Sequence, residues 1–113
     1  MAKLIVISWR DIPAQVLVKL GRETAKVQLS HRFQEAVDRA AMRAGKSGSE
    51  AYLADWKRSE PRRCADDLHA EAAAEAARIE ARYGDDDLLR LIRSHGLEQP
   101  TGDAVPPVAG GDA

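Results

Sequence analysis

The chain has 113 residues, of which 44% are hydrophobic and 31% charged, and its formal net charge is -1. This length accommodates one ordinary domain with a single core, and the composition is that of a soluble globular protein rather than a disordered or membrane-embedded one. The single cysteine, Cys64, excludes an internal disulfide, so we expect a reduced, cytoplasmic protein. The apolar run at the start of the chain is too short to span a membrane, so we expect no membrane partner.

The start of the chain carries the pattern of three short strands. Residues 4–9 are apolar on both faces, as in a strand buried within a sheet. Residues 10–13 then predict a turn, and residues 15–20 and 25–29 alternate apolar and polar side chains around a connection that contains a glycine. Such an arrangement indicates a hairpin. We therefore predict a three-stranded antiparallel meander.

A helix is predicted after the meander. Ser30 suits the capping position at its start, and apolar residues recur at helical spacing until Gly45, a natural stop. Residues 51–63 fit either a helix or an alternating strand, and we expect a fourth strand there.

Two helices are predicted in the second half of the chain. Apolar side chains form a helical stripe that ends at Gly84, and acidic residues lead this helix, where its dipole favours them. Asp85 is predicted to cap a short last helix that closes at Gly96. The members of the stripe are Leu68, Ala72, Ala76, Ile79 and Tyr83.

These elements predict an α+β fold, in which an antiparallel sheet of three or four strands packs against two or three helices. The fold would occupy residues 1–96 as a single domain. Residues 97–113 are rich in Pro, Gly and small side chains, which predicts a disordered C-terminal tail.

The charges are divided unevenly along the chain. The first 63 residues carry 13 basic and 7 acidic side chains, whereas the remainder carries 4 basic and 11 acidic ones. We therefore expect the acidic helices to pack against the basic part. Because the charges of the two halves nearly cancel, we do not expect a nucleic-acid partner.

Trp9, Arg10 and Asp11 stand side by side at the end of the first predicted strand. An Arg that is flanked by an indole and positioned by an Asp could bind a carboxylate or phosphate, because the guanidinium binds such groups with two parallel hydrogen bonds. The same residues also fit an anchored turn, in which Asp11 accepts local N–H groups and Pro13 fixes the backbone. The sequence leaves both interpretations open.

A second set of candidate binding residues consists of Arg32 and Gln34 on the first predicted helix, and Trp56 and Arg58 in the ambiguous segment. Arg and Trp are enriched at protein interfaces. A solvated helix face would use the same polar residues, so this alternative also stays open.

We predict no catalytic residue, no metal site and no cofactor. The histidines His31, His69 and His95 are scattered, and Cys64 has no placed base beside it in the sequence. A glycine-rich phosphate loop is also missing from the sequence.

Three segments carry a resemblance to a known family: ISWRDIPAQV, AKVQLSHRFQEAVDRAAMRAG and EAYLADWKRSEPRR. Together they resemble the small bacterial virulence factor domain, which is also found at the end of the larger conserved virulence factor C of staphylococci. The resemblance covers residues 3–83. Free-standing members in proteobacteria are often encoded beside genes for folate- and corrinoid-linked methyl transfer, and the resemblance implies no particular reaction.

We therefore expect a non-enzymatic accessory domain that binds a cytoplasmic protein, with a link to one-carbon metabolism implied by the resemblance. The alternative is a role in binding a small anionic ligand, such as a folate-like molecule or a phosphorylated metabolite, either alone or as an enzyme subunit. In that case Arg10, together with Arg32 or Arg58, would hold the anionic group.

Overall fold

The computed structural model describes residues 1–46 and 48–98. Within this part, five strands and four helices form an α+β fold, which confirms the predicted fold class. The sequence predicted at most four strands and three helices, so the structure has one more of each. In chain order they are β1 (Ala2–Trp9), β2 (Ile12–Leu20), β3 (Glu23–Gln28), α1 (His31–Arg43), α2 (Ser49–Ala54), β4 (Trp56–Arg58), β5 (Arg62–Cys64), α3 (Leu68–Arg82) and α4 (Asp85–Arg93). The predicted tail lies outside the described residues from residue 99 onward.

The first three strands form the predicted antiparallel meander, in the order β3-β2-β1. Both later strands pair with the other edge of β1: β4 lies opposite residues 7–9, and β5 lies opposite residues 2–4. Residues 51–63 therefore hold both of the structures that the sequence allowed, because the helix α2 ends at Ala54 and two short strands follow it.

β2 begins at Ile12, so the predicted turn of residues 10–13 is shortened to its first two residues. Pro13 lies within the strand, where the register shifts between Ile7 and Ser8 of β1 and a bulge interrupts the ladder. Proline has no N–H to donate to a neighbouring strand, and a bulge is a place where a strand tolerates it.

α3 packs on one face of the sheet. Leu4 and Val16 of the sheet belong to the same core cluster as Ala72, Ala76 and Ile79 of the helix. These three helix residues are members of the predicted stripe, and all three are buried. The acidic half of the chain thus packs against the basic half, as expected. Burial of a large aliphatic side chain is worth about 1.5 to 3 kcal/mol, more than an exposed ion pair contributes.

α1 and α4 pack against each other and complete the core. Phe33 of α1 and Leu91 of α4 are fully buried, and Leu88 and Ile92 are buried beside them, as the predicted last helix requires. None of the helices in the described part combines the length and the apolar character that crossing a bilayer requires.

Two helix starts differ from the sequence prediction. Ser30 stands at the N-cap of α1, but its hydroxyl donates to a carboxylate oxygen of Glu80 at 2.9 Å instead of accepting an N–H of the helix. α4 is capped at Gly84 rather than at Asp85, because the Asp87 carboxylate reaches back to accept the Gly84 N–H at 2.8 Å. Asp85 is the first residue of the helix itself.

Candidate functional site

Trp9 is a core residue, since its side chain has no exposed surface. Its indole N–H donates to the Tyr52 carbonyl at 2.8 Å, and its ring stacks on the Tyr52 ring with 6.0 Å between the ring centroids. Because no part of the indole reaches the surface, we leave Trp9 out of the proposed binding surfaces. Its contact with Tyr52 joins β1 to α2.

Arg10 is bound on several sides by the chain itself. Its backbone has a φ of 52°, and its N–H donates to the Asp55 carbonyl at 3.0 Å. The guanidinium donates to the Asp55 carboxylate at 3.2 Å and to the His95 carbonyl at 2.8 Å, and it lies 5.1 Å from the Trp9 ring centroid. The charge of Arg10 is therefore met by a carboxylate within the protein.

Asp11 also faces inward to partners within the chain. Its carboxylate accepts from the Lys57 ammonium at 3.0 Å and from the Glu98 backbone N–H at 2.6 Å, while its own N–H donates to the Gly96 carbonyl at 2.8 Å. Burial acts to raise the pKa of Asp11, but the bonds from Glu98 and Lys57 outweigh it, so the pKa lies below its ordinary value. The turn thus ties the segment after α4 to β4.

Arg32 makes a second connection of the same kind. It donates to the Glu80 carbonyl at 2.9 Å, forms ion pairs with the carboxylates of Glu80 and Asp85, and lies over the Phe33 ring. Burial acts to raise the pKa of Glu80, yet hydrogen bonds from Ser30 and Arg32 lower it below its ordinary value. Arg32 therefore holds the start of α1 to the junction of α3 and α4.

The other three sequence candidates, Gln34, Trp56 and Arg58, lie close to one surface of the sheet. By register, Arg58 lies opposite Ile7, which in turn lies opposite Gln15 on β2, and Gln15 lies opposite Gln28 on β3. This row of four side chains crosses the sheet on the face opposite α3. At its end is a cavity of about 460 Å³, which we call the glutamine cavity, lined by Ala14, Gln15, Gln28, Leu29, His31, Gln34 and Trp56.

The glutamine cavity offers one indole wall and several amides. The Trp56 ring is half-buried and meets the Tyr52 ring edge to face, with 5.8 Å between centroids. The Oε1 atom of Gln15 is buried and accepts no hydrogen bond from the described residues. A buried acceptor without a partner is unusual in a folded protein and marks a place where a donor would be stabilised.

The sequence interpretation did not include Gln15, Gln28 and His31 in this site. The alternation of β2 and β3 placed the two glutamines on the polar side of the hairpin, but it gave no means of telling a cavity wall from a solvated face. Only the pairing of β2 with β3, and of β1 with β4, brings them near Trp56.

Five exposed cations occupy the sheet face on the side opposite α3. Lys3 lies between Arg63 and Lys19 in one row, while Lys26 lies opposite Leu17 and Arg58 lies opposite Ile7 on the same face. Among the ion pairs of the described residues, none involves these five cations. We call this surface the open face; its cations are Lys3, Lys19, Lys26, Arg58 and Arg63.

A different surface lies where α1 meets α2. A hollow of about 380 Å³ is lined by Asp38, Ala41, Met42 and Tyr52. Met42 is 70% exposed and Leu53 of α2 is 63% exposed. We call this surface, with its lining residues and Leu53, the α1–α2 hollow.

Cys64 and the histidines do not assemble into a reactive centre. Cys64 is buried, and burial raises the pKa of its thiol, with a further contribution from nearby Glu71. A raised pKa lowers the fraction of reactive thiolate. Across residues 1–46 and 48–98, no three His, Cys, Asp or Glu side chains are grouped as metal ligands would be.

The comparison with protein families gives one match. A family model described as Virulence factor matches residues 7–92, which extend from β1 almost to the end of α4. This match confirms the resemblance inferred from the sequence. Comparisons with curated proteins and with solved structures give no match.

Proposed function

We propose that this chain, which belongs to the virulence factor family, is a non-enzymatic accessory domain that binds another protein through the α1–α2 hollow. The observation that carries the proposal is the exposure of Met42, which lines this hollow, and of Leu53, which follows the lining residue Tyr52 on α2. Single exposed apolar residues are common on protein surfaces, but neighbouring ones around a depression are typical of binding sites.

The lining of the hollow indicates the chemistry of the partner. Ala41, Met42 and Tyr52 form apolar walls, and Met adapts its shape to different side chains more readily than branched residues do. Asp38 stands at the rim, where its carboxylate accepts a hydrogen bond from Gln34 at 3.1 Å and forms no ion pair with a described residue. A partner that inserts an aliphatic or aromatic side chain beside a Lys or Arg would complement this surface.

The first partners to examine are the folate- and corrinoid-linked methyl-transfer enzymes that the family resemblance suggests. The alternative role, in which Arg10 acts with Arg32 or Arg58 on a small anion, has less support. Arg10 and Arg32 already form ion pairs with carboxylates of the chain itself. The two arginines also lie in different parts of the fold, since Arg10 follows β1 and Arg32 belongs to α1.

The test uses the tagged full-length chain in its native host, followed by reconstitution with the purified partner. We expect the double variant Met42→Ser/Leu53→Ser to remain folded and to lose the partner that the wild type captures. Leu97→Ser is the matched control, because Leu97 is also an exposed apolar residue, 47% exposed, but lies after α4. If the folded double variant binds the purified partner as tightly as the wild type, the hollow is not the binding surface.

A further inference from the structure

The arrangement of the cations on the open face lowers the stability of the protein when nothing is bound to them. Lys3 is directly opposed by Lys19 on one neighbouring strand and by Arg63 on the other. Like charges in directly opposed cross-strand positions repel each other and are destabilising. An anionic chain lying along this row would replace that repulsion by attraction, and it would release the counterions that surround it.

The near-neutral net charge, from which we expected no nucleic-acid partner, is a sum over the whole chain. In the fold, α3 and its acidic residues pack on the face of the sheet opposite to these cations. A polyanion responds to the local potential of the surface that it meets rather than to the net charge. The open face is therefore a basic surface on a nearly neutral protein.

The glutamine cavity lies beside the open face. Arg58, Gln15 and Gln28 belong to the same row across the sheet, and Trp56 lies on the same side of β4 as Arg58. The indole offers a surface for stacking, and a donor would stabilise the Oε1 atom of Gln15, which accepts no hydrogen bond from the described residues. A nucleobase supplies both a flat π surface and N–H donors at its edge.

We infer that a single-stranded nucleic acid binds across the open face, with its phosphates on the cations and one base in the glutamine cavity. An acidic segment of a protein would satisfy the cations equally well. It would not account for an amide-lined cavity with an indole wall at the end of the same row. The open face is a different surface from the α1–α2 hollow, so nucleic-acid binding and protein binding can be disproved independently of each other.

The experiment measures fluorescence anisotropy of short labelled RNA and DNA oligonucleotides with the full chain. We expect Lys19→Gln/Lys26→Gln to weaken binding by about tenfold or more, and to lower the slope of log Kd against log salt by about 1.4, since each phosphate contact of a single strand contributes roughly 0.7. Arg90→Gln/Arg93→Gln on α4 is the control, because it changes the net charge equally but leaves the open face intact. Binding that falls equally in both double variants would overturn the inference.

Two further ligands separate a base-binding site from a general anion site. An abasic oligonucleotide keeps the phosphates but has no bases, and we expect it to bind at least about tenfold more weakly than the parent. Polyglutamate represents an acidic protein segment and should compete poorly. We also expect Gln15→Leu to weaken binding of the parent oligonucleotide while leaving the abasic one unaffected. No binding by the wild type, or equal binding of all three ligands, would refute the inference.

Discussion

Replacing Gly96 with alanine should destabilise the protein by about 2 to 5 kcal/mol, through two separate penalties. Gly96 has a φ of 83°, a left-handed conformation that costs a residue with a side chain about 1 to 2 kcal/mol. In addition, a Cβ atom there would lie 2.9 Å from Cζ3 and 3.2 Å from Cε3 of Trp9. Forcing an atom into a filled core costs about 1 to 3 kcal/mol.

Neither group can move away easily. The Trp9 indole is held by its hydrogen bond to Tyr52, and the backbone of Gly96 donates to the Leu91 carbonyl at 2.7 Å and accepts from the Asp11 N–H at 2.8 Å. Gly21 and Gly45 provide matched controls, because each has a positive φ but an added Cβ would meet nothing within 4 Å. Their alanine variants should therefore show only the backbone penalty.

The assay is urea unfolding followed by far-ultraviolet circular dichroism, with thermal unfolding as a second measure. At roughly 4 to 8 °C per kcal/mol, Gly96→Ala should lower the melting temperature by about 8 °C or more. In a Trp9→Phe background, which removes the atoms Cε3 and Cζ3 of the indole, the cost of Gly96→Ala should fall toward that of the controls. If Gly96→Ala costs no more than the alanine variants of Gly21 and Gly45, the close contact with Trp9 does not have the effect that we assign to it.

The remaining predictions concern a carboxylate, the core and the cysteine. Because the pKa of Glu80 is lowered in the folded state, its contribution is present above its unfolded pKa and lost as the pH falls. In urea titrations, Glu80→Gln should therefore lose less stability between about pH 7 and about pH 3 than the wild type. Ile79→Asp places an unpaired charge in the core and should abolish cooperative thermal unfolding. As a control, neutralising the exposed Asp86 should change stability by no more than about 0.5 kcal/mol. A folded Ile79→Asp protein would contradict the packing of α3. Cys64 should react slowly with a disulfide reagent until urea unfolds the chain, and rapid labelling of the native protein would show that the thiol is accessible.

Local periodicity was sufficient to predict most of the elements. Alternation along β2 and β3 identified the hairpin, and the spacing of Ala72, Ala76 and Ile79 identified the buried side of α3. The side-chain periods of strands and helices follow from backbone geometry, so they can be read without knowledge of the partners. Residues 51–63 escaped such a prediction, because a helix and two strands there are each too short to establish a period.

Outside residues 51–63, the sequence by itself determined most of the elements, which side of α3 is buried, and the division of the chain into a basic and an acidic half. Only the tertiary structure decided what each polar side chain contacts. Arg10 bonds to Asp55 and His95, and Ser30 bonds to Glu80, across separations of 45, 85 and 50 residues. Such contacts depend on the register of strands and the packing of helices, which place distant residues side by side, and no local pattern records them.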